Sequence, residues 1–489
     1  MSIKTIILAA GQGTRMRSAR PKVLHEIANK ALLQHVYETA ASLEDNKVYI
    51  IYGHGGETVK QTLCDLDATW IEQKQQLGTG HAVQQAIHHV EDGDTVLILY
   101  GDVPLLKAQT IQTLLKKVSA ASLALLTVTL DDPTGYGRIV RDKDHAVIKI
   151  VEQKDANEAE LLINEGNTGI LACKGNQLKQ WLSRLRNENA QNEYYLTDII
   201  EMAVDDGLTV ETTQAGSQDE VLGVNNREQL AHLERVYQFE QAQRLMEKGV
   251  TLRDPNRIDV RGSFAELGQD IDIDINVIFE GINRIGSNVK IGPNCLIKNA
   301  TIAEGVEILA NSVIEDAVIG TGSRIGPFAR LRPETELADQ VHIGNFVEIK
   351  KTKVASGSKI NHLSYIGDSE IGSKVNIGAG TITCNYDGVN KFKTIIEDGA
   401  FIGSDTQLVA PVTVGKHATI GAGSTITKDT PAEQLTLSRA KQISIEGWKR
   451  PSKAEIVPDN LPHSLHPCKS AETVPDSSLH SLHPCKSEK

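Results

Sequence analysis

The sequence predicts an α/β domain with a largely parallel sheet, followed by a solenoid built from six-residue repeats. Up to about Val224, apolar runs alternate with amphipathic stretches, as is typical of strands and helices that follow one another in such a domain. In the second half an aliphatic residue returns at every sixth position, a spacing that fits neither a helix nor a half-buried strand. The clearest run comprises Ile402, Leu408, Val414, Ile420 and Ile426.

The clearest strands of the first half are short aliphatic runs. They lie at Thr5 to Ala10, Val48 to Tyr52, Thr95 to Tyr100, Leu123 to Thr129 and Val147 to Val151. Strands that alternate with helices form a mainly parallel sheet, whose ligands bind at the carboxyl ends of the strands. We therefore expect the functional residues of this half directly after these runs.

A charged stretch joins the two halves. Leu230, Leu233 and Tyr237 keep helical spacing within it, and Gly249 offers a C-terminal stop. The predicted organisation is therefore an α/β domain over residues 1–226, a linking helix over 227–249, a solenoid over 250–451 and a tail over 452–489.

A fixed period of six indicates one short strand and one turn, repeated, so that the chain coils. Three earlier runs keep the same register: Ile285, Ile291 and Ile297; Ile319, Ile325 and Leu331; and Ile371, Ile377 and Thr383. With three hexads to a coil and about 4.8 Å between stacked strands, roughly ten coils would form a rod of about 50 Å. The spacing alone does not give the handedness of the coil.

Composition excludes several classes of protein. The chain has 489 residues, which exceeds what one hydrophobic core usually serves, and its formal net charge of −12 argues against nonspecific binding to nucleic acid. No apolar run approaches the length of a membrane span, and the six cysteines form neither a disulfide framework nor a CxxC pair. We expect a cytoplasmic protein that binds neither nucleic acid nor membrane, and that holds any anionic substrate with locally placed cations.

A glycine turn follows the first predicted strand. It runs from Leu8 to Met16 with the sequence LAAGQGTRM, and Lys22 lies shortly after it. Backbone N–H groups at glycines can approach phosphate oxygens, and Arg15 and Lys22 can supply positive charge. Glycines also serve purely structural turns. Met16 stands where a dinucleotide fingerprint has its third glycine, which disfavours an NAD site.

The full string, LAAGxGTRM followed by Pro-Lys, resembles the signature of sugar-1-phosphate nucleotidyltransferases. The segment QKQQLGTGHA is similar to the uracil-reading segment of that family. Asp102 ends an apolar strand, where it could be a simple terminator, and Asn225 stands where the family has a second metal ligand. The resemblance implies a Rossmann-like nucleotidyltransferase domain with Mg²⁺ held by Asp102 and Asn225, because oxygen donors suit this hard ion.

The same resemblance implies a site for UTP and a sugar-1-phosphate. The expected binding residues are Leu8, Ala9, Ala10, Gly11, Lys22, Gln73, Gly78, Thr79, Tyr100, Gly101, Asp102, Gly137, Glu152, Asn167 and Asn225. A sugar-1-phosphate oxygen would attack the α-phosphorus of UTP, and Arg15, Lys22 and Mg²⁺ would offset the repulsion between two polyanions. Taken singly, Gly137, Glu152 and Asn167 have plain alternatives as a turn glycine, a surface acid and a turn asparagine.

Several polar residues interrupt the hexads between Arg330 and Gly388. Together with the N-terminal motifs, this stretch resembles the family of bifunctional UDP-N-acetylglucosamine pyrophosphorylases and glucosamine-1-phosphate acetyltransferases, over about residues 4–450. His362 matches the general base of that family. An imidazole suits the role near neutral pH, because the attacking amine must lose a proton. A lone histidine in a coil is otherwise more often a packed or solvated residue.

The bifunctional family also implies the remaining site residues of the solenoid. Glucosamine-1-phosphate would be bound by Arg332, Lys350, Tyr365 and Asn376, and acetyl-CoA by Ala379, Asn385, Tyr386, Ser404, Ala422 and Arg439. We further expect Glu348 to orient His362. The family fold is a left-handed parallel β-helix, three of which pack side by side in a homotrimer with acetyl-transfer sites between subunits. The implied product, UDP-N-acetylglucosamine, is a precursor of peptidoglycan and lipopolysaccharide.

Two other interpretations are open to the sequence. The chain could be a nucleotidyltransferase of another specificity whose solenoid only oligomerises, although such a solenoid would need no base like His362. It could also be a non-enzymatic scaffold, against which the glycine turn and Asp102 argue. The tail beyond Trp448 falls outside the resemblance. Its near copies, Val457 to Ser470 and Val474 to Ser487, are expected to be disordered rather than to bind a metal.

Overall fold

A computed structural model describes residues 2–11, 13–53 and 56–450. Residues 1–439 form one compact unit, which contains the predicted α/β domain, the linking helix and the predicted solenoid up to residue 439, whereas residues 440–450 belong to a second unit. The predicted tail, residues 452–489, lies outside the described residues. Across the described ranges, none of the helices combines the length and apolar character that a bilayer crossing needs. The four cysteines described there are free thiols: Cys64, Cys173, Cys295 and Cys384.

The first half alternates strands and helices, as predicted. Its strands are β1 (Ile3–Ala9), β2 (Glu26–Ile27), β3 (Lys30–Ala31), β4 (Asn46–Gly53), β5 (Thr69–Gln73), β6 (Thr95–Tyr100), β7 (Ser122–Thr129), β8 (Arg138–Arg141), β9 (Val147–Val151), β10 (Glu165–Lys174) and β11 (Thr209–Gln214). Its α-helices are α1 (Leu32–Ala41), α2 (Glu57–Thr62), α3 (Thr79–Ala86), α4 (Ala108–Leu115), α5 (Glu158–Leu161), α6 (Gly175–Arg184), α7 (Asp198–Asp205), α8 (Gln218–Val221) and α9 (Arg227–Glu247). Short 3-10 helices lie at Thr14–Met16, Lys22–Leu24, Ile87–His89 and, after α9, Pro255–Arg257. All five predicted strands are present.

The main sheet of this half has the order β11-β7-β10-β6-β1-β4-β5. Strand β1 is parallel to both of its neighbours, β4 and β6, whereas β10 runs antiparallel between β6 and β7. Strands β8 and β9 form an antiparallel extension that pairs with β10. The chain leaves β1 for β4 on one side while β6 lies on the other, so a crevice opens at the carboxyl ends of β1 and β6.

Helices cover both faces of this sheet. Side chains alternate along β1, so that Ile7 and Ala9 join the core beneath α1 and α4. Ile6 and Leu8 join the second core, beneath α3, α6 and α7. A parallel sheet that is buried on both faces needs apolar residues at every strand position, which explains the continuous aliphatic runs in the sequence.

The predicted linking helix is α9. It ends two residues before Gly249, whose φ of +87° gives the left-handed stop expected of a helix C-terminus. Leu233 is buried in a cluster with Met16, Ile27 and Val224. Helix α9 therefore packs on the chain that follows β1.

Gln238 fastens α9 to the first coil of the solenoid. Its side chain is only 1% exposed. Gln238 Oε1 accepts from the N–H of Val260 at 2.6 Å, and its Nε2 donates to the carbonyl of Val260 at 3.2 Å and to Glu234 Oε1 at 2.9 Å. The amide thereby takes the place of a neighbouring strand at the open end of the solenoid, where the backbone has no preceding coil to pair with.

The second half is a parallel β-solenoid. Its strands are Thr251–Leu252, Ile258–Leu267, Asp272–Ile273, Val277–Ile285, Lys290–Ile291, Leu296–Lys298, Thr301–Ile302, Glu307–Ile308, Val313–Glu315, Ala317–Ile319, Arg324–Ile325, Arg330–Leu331, Thr335–Leu337, His342–Asn345, Glu348–Val354, Lys359–His362, Tyr365–Ile371, Asn376–Ile377, Ile382–Cys384, Thr394–Ile396, Phe401–Ile402, Gln407–Val409, Val412–Val414, Thr419–Ile420, Thr425–Ile426 and Leu435–Thr436. Each pairs in parallel with the strand one coil away. The arrangement is consistent with the left-handed β-helix of hexapeptide repeats.

Three ladders of aliphatic side chains fill the solenoid. The first ladder is Ile273, Ile291, Ile308, Ile325, Ile343, Ile360, Ile377, Ile402 and Ile420. The second includes Ile297, Ile314, Leu331, Ile349 and Ile366, and the third includes Ile302, Ile319, Leu337, Val354 and Ile371. These residues are almost fully buried in one continuous core. Each coil thus has three faces, and the six-residue period of the sequence is the length of chain that forms one face.

One coil is longer than the others. Neighbours in the first ladder are 17 or 18 residues apart, but Ile377 and Ile402 are 25 apart while still pairing in register. The extra residues form a loop near Tyr386 and Lys391, which are joined by an isolated bridge. The insertion does not disturb the packing of the core, so the loop is available for a function at the surface.

Gln238→Ala should loosen the junction between α9 and the solenoid. Removing the amide leaves both backbone groups of Val260 without partners, which costs roughly 1–3 kcal/mol. Hydrogen exchange followed by mass spectrometry should show faster exchange across residues 258–264. Gln243→Ala, an exposed position on the same helix, should leave that exchange unaltered. Equal exchange in the two variants would contradict the role given to Gln238.

Candidate active sites

The first candidate site begins at the turn after β1. Gly13 has a φ of +64°, and a Cβ at this position would lie 2.7 Å from the Cβ of Lys22, so no larger residue fits. This close approach holds the short helix that carries Arg15 beside Lys22. Gly11 instead faces open space, with no described atom within 4 Å of where its Cβ would stand. Its backbone is therefore accessible to a ligand.

Asp102 and Asn225 are brought together by the backbone. The N–H of Val224 donates to the carbonyl of Asp102 at 2.9 Å, which sets residue 225 beside the end of β6. Lys22 Nζ donates to the Asp102 carboxylate and, at 3.2 Å, to Asn225 Oδ1. Arg15 Nη2 donates to the same amide oxygen at 2.9 Å. Two oxygen donors and two cations thus converge at one point.

A cavity of about 460 Å³ opens beside this point. Ten predicted residues line it: Leu8, Ala9, Ala10, Gly11, Lys22, Gln73, Gly78, Thr79, Tyr100 and Asp102. Gly101 does not line it. The N–H of Gly101 donates to the carbonyl of Leu8 at 2.9 Å and ties the end of β6 to β1.

Gln73 is held rigidly at one wall of this cavity. Its buried amide donates to the carbonyl of Gly78 at 3.1 Å and lies 3.0 Å from His81 Nδ1. Burial lowers the pKa of His81, which favours a neutral ring that can accept from the amide. Gly78 has a φ of +108°, and a Cβ there would lie 2.6 Å from the carbonyl oxygen of Tyr194, so only glycine fits. This wall therefore presents the oriented amide of Gln73 beside the backbone of Gly78, which carries no side chain.

A second cavity, of about 370 Å³, adjoins the first. Thr79, Tyr100, Asp102 and Glu193 line both. The predicted residues Gly137, Glu152, Asn167, Arg15 and Asn225 all line the second cavity. The convergence point of Asp102, Asn225 and the two cations therefore lies where the two cavities meet.

The wall of the second cavity carries acidic groups that are largely buried. Burial raises the pKa of Glu152, although a hydrogen bond of 3.1 Å from the hydroxyl of Thr197 opposes the shift. Burial also raises the pKa of Tyr100, with smaller contributions from the carboxylates of Glu152 and Asp102. Asp198 follows the lining residue Thr197 in the chain but does not itself line the cavity; its pKa is raised to about 6, mainly by burial and then by Glu201. Such a wall suits a neutral, hydroxyl-rich ligand better than a second anion.

The second candidate site follows one edge of the solenoid. Two residues beyond each member of the first ladder from Ile308 to Ile420, the chain turns a corner, and the corner residues stack as Ala310, Pro327, Asn345, His362, Ala379, Ser404 and Ala422. We call this line the edge ladder. The N–H of Gly380 donates to the carbonyl of His362 at 3.3 Å, and that of Asp405 to Ala379 at 2.7 Å. The structure therefore brings His362 into line with three of the residues predicted to contact acetyl-CoA.

Arg439 lies at the end of the edge ladder. Its Nη1 donates to the carbonyl of Ala422 at 3.0 Å. This predicted residue is exposed and adds a positive charge where the line of small residues ends.

The ring of His362 is bonded to Asn345 and not to Glu348. His362 Nδ1 lies 3.0 Å from Asn345 Oδ1. Glu348 is engaged elsewhere, because its Oε1 accepts from Arg332 Nη1 at 2.7 Å. The expectation that Glu348 orients His362 is therefore wrong for this chain. The guanidinium of Arg332 binds the carboxylate of Glu348. Asn345 instead occupies the position directly in register with His362.

Three cations gather on the face formed by the second ladder. The neighbouring ammonium of Lys391 lowers the pKa of Lys350; desolvation and Arg332 add to the shift, and Asp368 opposes it. Like charges held this close indicate a site for an anion. Lys391 was not expected from the sequence. It belongs to the loop inserted in the 25-residue coil, and that break in the spacing is the signal that could have found it.

Tyr365 and Asn385 lie together beside these cations. Asn385 Nδ2 donates to Asp368 Oδ2 at 2.5 Å. At Gly367 a Cβ would lie 2.5 Å from the Tyr365 hydroxyl and 2.9 Å from Asn385 Nδ2, so a bare backbone is needed there. Tyr386 follows on the inserted loop and is exposed.

Asn376 is not brought to this group within one chain. It lies between the buried residues Val375 and Ile377 on a strand of the first ladder, so its side chain points outward from that face. Arg332, Lys350 and Tyr365 lie on the face of the second ladder. A single chain therefore leaves the predicted set for glucosamine-1-phosphate divided between two faces.

Models of protein families match three parts of the chain. Residues 5–164 match the MobA-like NTP transferase domain, residues 263–355 the GMPPB C-terminal domain, and residues 393–428 the bacterial transferase hexapeptide with six repeats. Solved structures that resemble the chain include a nucleotidyl transferase from Methanothermobacter thermautotroptrophicus, 14% identical, with a TM-score of 0.36 over 48% of this chain and 97% of that one. Another is a putative glucose-1-phosphate thymidylyltransferase from Bacillus anthracis, 16% identical, with a TM-score of 0.38 over 48% and 95%. Scores this low add nothing to the family assignment.

Curated relatives match nearly the whole chain. The bifunctional protein GlmU of Methylococcus capsulatus is 64% identical over 93% of this chain and 98% of its own length. The proteins of the same name from Azoarcus sp. and Ralstonia nicotianae are 57% and 58% identical, each over 92% of this chain and over 100% and 98% of their own lengths. With an NTP-transferase half, a hexapeptide half and this identity along both, the chain belongs to the GlmU family of bifunctional proteins.

Proposed function

We propose that this enzyme makes UDP-N-acetylglucosamine in two steps. The solenoid would transfer an acetyl group from acetyl-CoA to glucosamine-1-phosphate. The N-terminal half would then join the resulting N-acetylglucosamine-1-phosphate to UTP with release of pyrophosphate. The observation that carries the proposal is the presence in one chain of two separate constellations, one around Asp102 and one around His362. We assign them to residues 1–226 and 250–451, with 227–249 as the linking helix.

Uridylyl transfer is supported by the meeting of the two cavities at Asp102. The cavity beside Gln73 suits the base and triphosphate, and the acidic cavity beside Glu152 suits the neutral hydroxyls of the sugar. A phosphate oxygen of the sugar-1-phosphate attacks the α-phosphorus of UTP. The bond to the β-phosphate oxygen breaks, and pyrophosphate leaves with the electron pair. Arg15 and Lys22 would hold the phosphates in line and offset the growing charge.

The oxygens of Asp102 and Asn225 fit a divalent metal. Both lie within hydrogen-bond reach of a single ammonium, that of Lys22, so they already face one cationic position. Among the described residues, no group of three or more His, Cys, Asp or Glu side chains is arranged so that it could hold a metal ion. Mg²⁺ suits such a sparse donor set, because it keeps waters and shares phosphate oxygens. When bound, it would offset charge on the triphosphate.

Acetyl transfer is supported by His362 at a corner of the solenoid and by the cluster of cations on the face that the chain enters three residues later, at Tyr365. Arg332, Lys350 and Lys391 would hold the phosphate of glucosamine-1-phosphate. The amine nitrogen attacks the thioester carbon while His362 takes one of its protons. The carbon–sulfur bond then breaks, the electron pair leaves on the sulfur of CoA, and that sulfur takes the proton from the imidazole.

The edge ladder provides a path for acetyl-CoA. Ala379, Ser404 and Ala422 continue the line from His362 with small side chains, which leaves room for an extended chain against the solenoid. Arg439 would meet the phosphates of CoA at the far end, because a guanidinium matches phosphate geometry. Asn385 and Tyr386, on the opposite side, would line the pocket for the acetyl group.

The acetyl-transfer site would be shared between copies of the chain. Asn376 points from a different face than Tyr365, so a second chain is needed to bring both to one ligand. A homotrimer of solenoids packed side by side satisfies this requirement. A cytoplasmic location is part of the proposal, since the described cysteines are free thiols.

Asp102→Ala should remove uridylyl transfer and spare acetyl transfer. Loss of the carboxylate at the junction of the cavities should lower kcat by roughly a hundredfold or more. Pyrophosphate release and thiol release report the two steps independently. Asp92→Ala, which removes an exposed carboxylate that pairs with Lys179, should leave both unchanged. Uridylyl transfer at the normal rate in Asp102→Ala would overturn the assignment.

Lys22→Met should tighten binding of Mn²⁺ to the nucleotide-free enzyme. The ammonium of Lys22 occupies the oxygens proposed for the metal, so its removal should lower the Kd for Mn²⁺ by roughly tenfold. Electron paramagnetic resonance of free Mn²⁺ measures this without turnover. Arg20→Met removes a nearby positive charge that pairs with Glu26 and not with Asp102, and should have little effect. Equal affinities in both variants would contradict the competition.

Mixed assemblies should test whether the acetyl-transfer site is shared. His362→Ala and Asn376→Ala chains should each be inactive or nearly so in acetyl transfer when expressed alone. Co-expression should restore part of the activity, because some sites then combine an intact His362 from one chain with an intact Asn376 from its neighbour. No restoration in assemblies shown to contain both chains would place the whole site within one chain.

A further inference from the structure

Asn345 is the polar neighbour of His362 on the edge ladder. The other members are alanine, proline or serine, so Asn345 and His362 are the two whose side chains are long enough to reach one another. They lie in register on adjacent coils, with Asn345 Oδ1 3.0 Å from His362 Nδ1. No role was assigned to Asn345 by the sequence.

The backbone fixes this pair. A Cβ at Gly344 would lie 2.0 Å from the carbonyl oxygen of Asn361, so the two coils touch directly beside Asn345 and His362. The N–H of Leu363 donates to the carbonyl of Asn345 at 3.1 Å. Buried Ile343 and Ile360 hold the strands in register two residues earlier. The distance between the two side chains is therefore set by the solenoid itself.

A carboxamide oxygen can only accept a hydrogen bond. With Oδ1 facing Nδ1, the imidazole must carry its proton on Nδ1, which leaves the lone pair on Nε2. The structure gives no protein partner to Nε2 among the described residues, and the ring is exposed on the side where a ligand would bind. A base that must take a proton from an amine needs this tautomer.

We propose that Asn345 is a positioning residue for acetyl transfer, which fixes His362 in the Nδ1–H tautomer and aims its Nε2 at the amine of the substrate. This inference rests on the proposed acetyl-transfer function. Asn345 itself touches neither the amine nor the thioester. Its effect is transmitted through the imidazole, as in other sites where the partner of one ring nitrogen sets the chemistry of the other.

The test compares three substitutions in the full-length enzyme. Asn345→Leu removes the acceptor and should lower kcat for acetyl transfer by about tenfold to a hundredfold with a smaller effect on KM, because the ring loses its fixed tautomer but not its substrate. Asn345→Asp retains an acceptor and should keep kcat within a few-fold of the parent. Asn294→Asp is the control for the same chemical change elsewhere in the solenoid. Asn294 lies one residue past the equivalent corner position three coils earlier, makes amide-to-amide hydrogen bonds with Asn276 and Asn311, and its substitution should have no effect.

The uridylyl activity of each variant serves as an internal check of folding, and His362→Ala checks the proposed function. If His362→Ala still transfers acetyl groups, the proposed base is wrong. If it is inactive but Asn345→Leu matches the parent, the positioning role alone is overturned.

Nitrogen NMR of histidine-labelled enzyme provides a measurement that would not change if Asn345 had only a structural role. The signals of His362 are identified by their loss in His362→Ala. The parent and Asn345→Asp should show a protonated Nδ1 and an unprotonated Nε2, whereas Asn345→Leu should shift toward protonated Nε2. Glu348→Gln should leave the tautomer unchanged. A parent ring protonated on Nε2, or a tautomer that responds to Glu348 and not to Asn345, would contradict the proposal.

Discussion

The stacking of isoleucine upon isoleucine inside the solenoid determines where its functional groups can lie. Each member of the first ladder sits directly above the one before it, although 17, 18 or even 25 residues of chain separate them. Burying such a side chain contributes roughly 1.5–3 kcal/mol, and the ladder repeats that gain on every coil. A shift of one residue would turn an isoleucine outward, so the register is strongly fixed. Functional groups can then lie only at corners, in insertions and at the outward-facing positions of the strands; His362 lies at a corner, Lys391 in an insertion and Lys350 on an outward face.

In the N-terminal half, charge balance determines where the functional groups lie. The chain carries a net charge of −12, yet its first site faces substrates that are themselves polyanions. Lys22 and Arg15 meet Asp102 and Asn225 where two cavities join, so positive charge is concentrated at the one point where it is needed. The second cavity keeps its acidic wall, which suits the uncharged part of a sugar. The two cavities therefore differ in electrostatics as well as in shape.

The sequence predicts most of this fold because its strongest signals are periodic. Buried strands such as Thr95–Tyr100 and the helix that ends before Gly249 follow from local pattern and are confirmed. Residues of continuous motifs, such as Leu8 to Gly11, line the first cavity, although Gly101 does not. Gln238, Asn345 and Lys391 were missed because each acts across a coil or a domain junction, where no local pattern records the contact. Glu348 was misassigned because sequence cannot show that Arg332 lies closer to it than His362. The spacing of 17 residues between Asn345 and His362 nevertheless equals one coil, and it could have indicated that the two side chains are neighbours.

A chain with two independent transferase sites should release its two products in separate stages. The purified enzyme is given acetyl-CoA and glucosamine-1-phosphate first, and UTP with Mg²⁺ only later, while thiol and pyrophosphate are followed together. Thiol should be released at once and pyrophosphate only after the second addition. Pyrophosphate release from added N-acetylglucosamine-1-phosphate without any thiol release in the first stage would contradict this expectation, and would leave the solenoid as an assembly module alone.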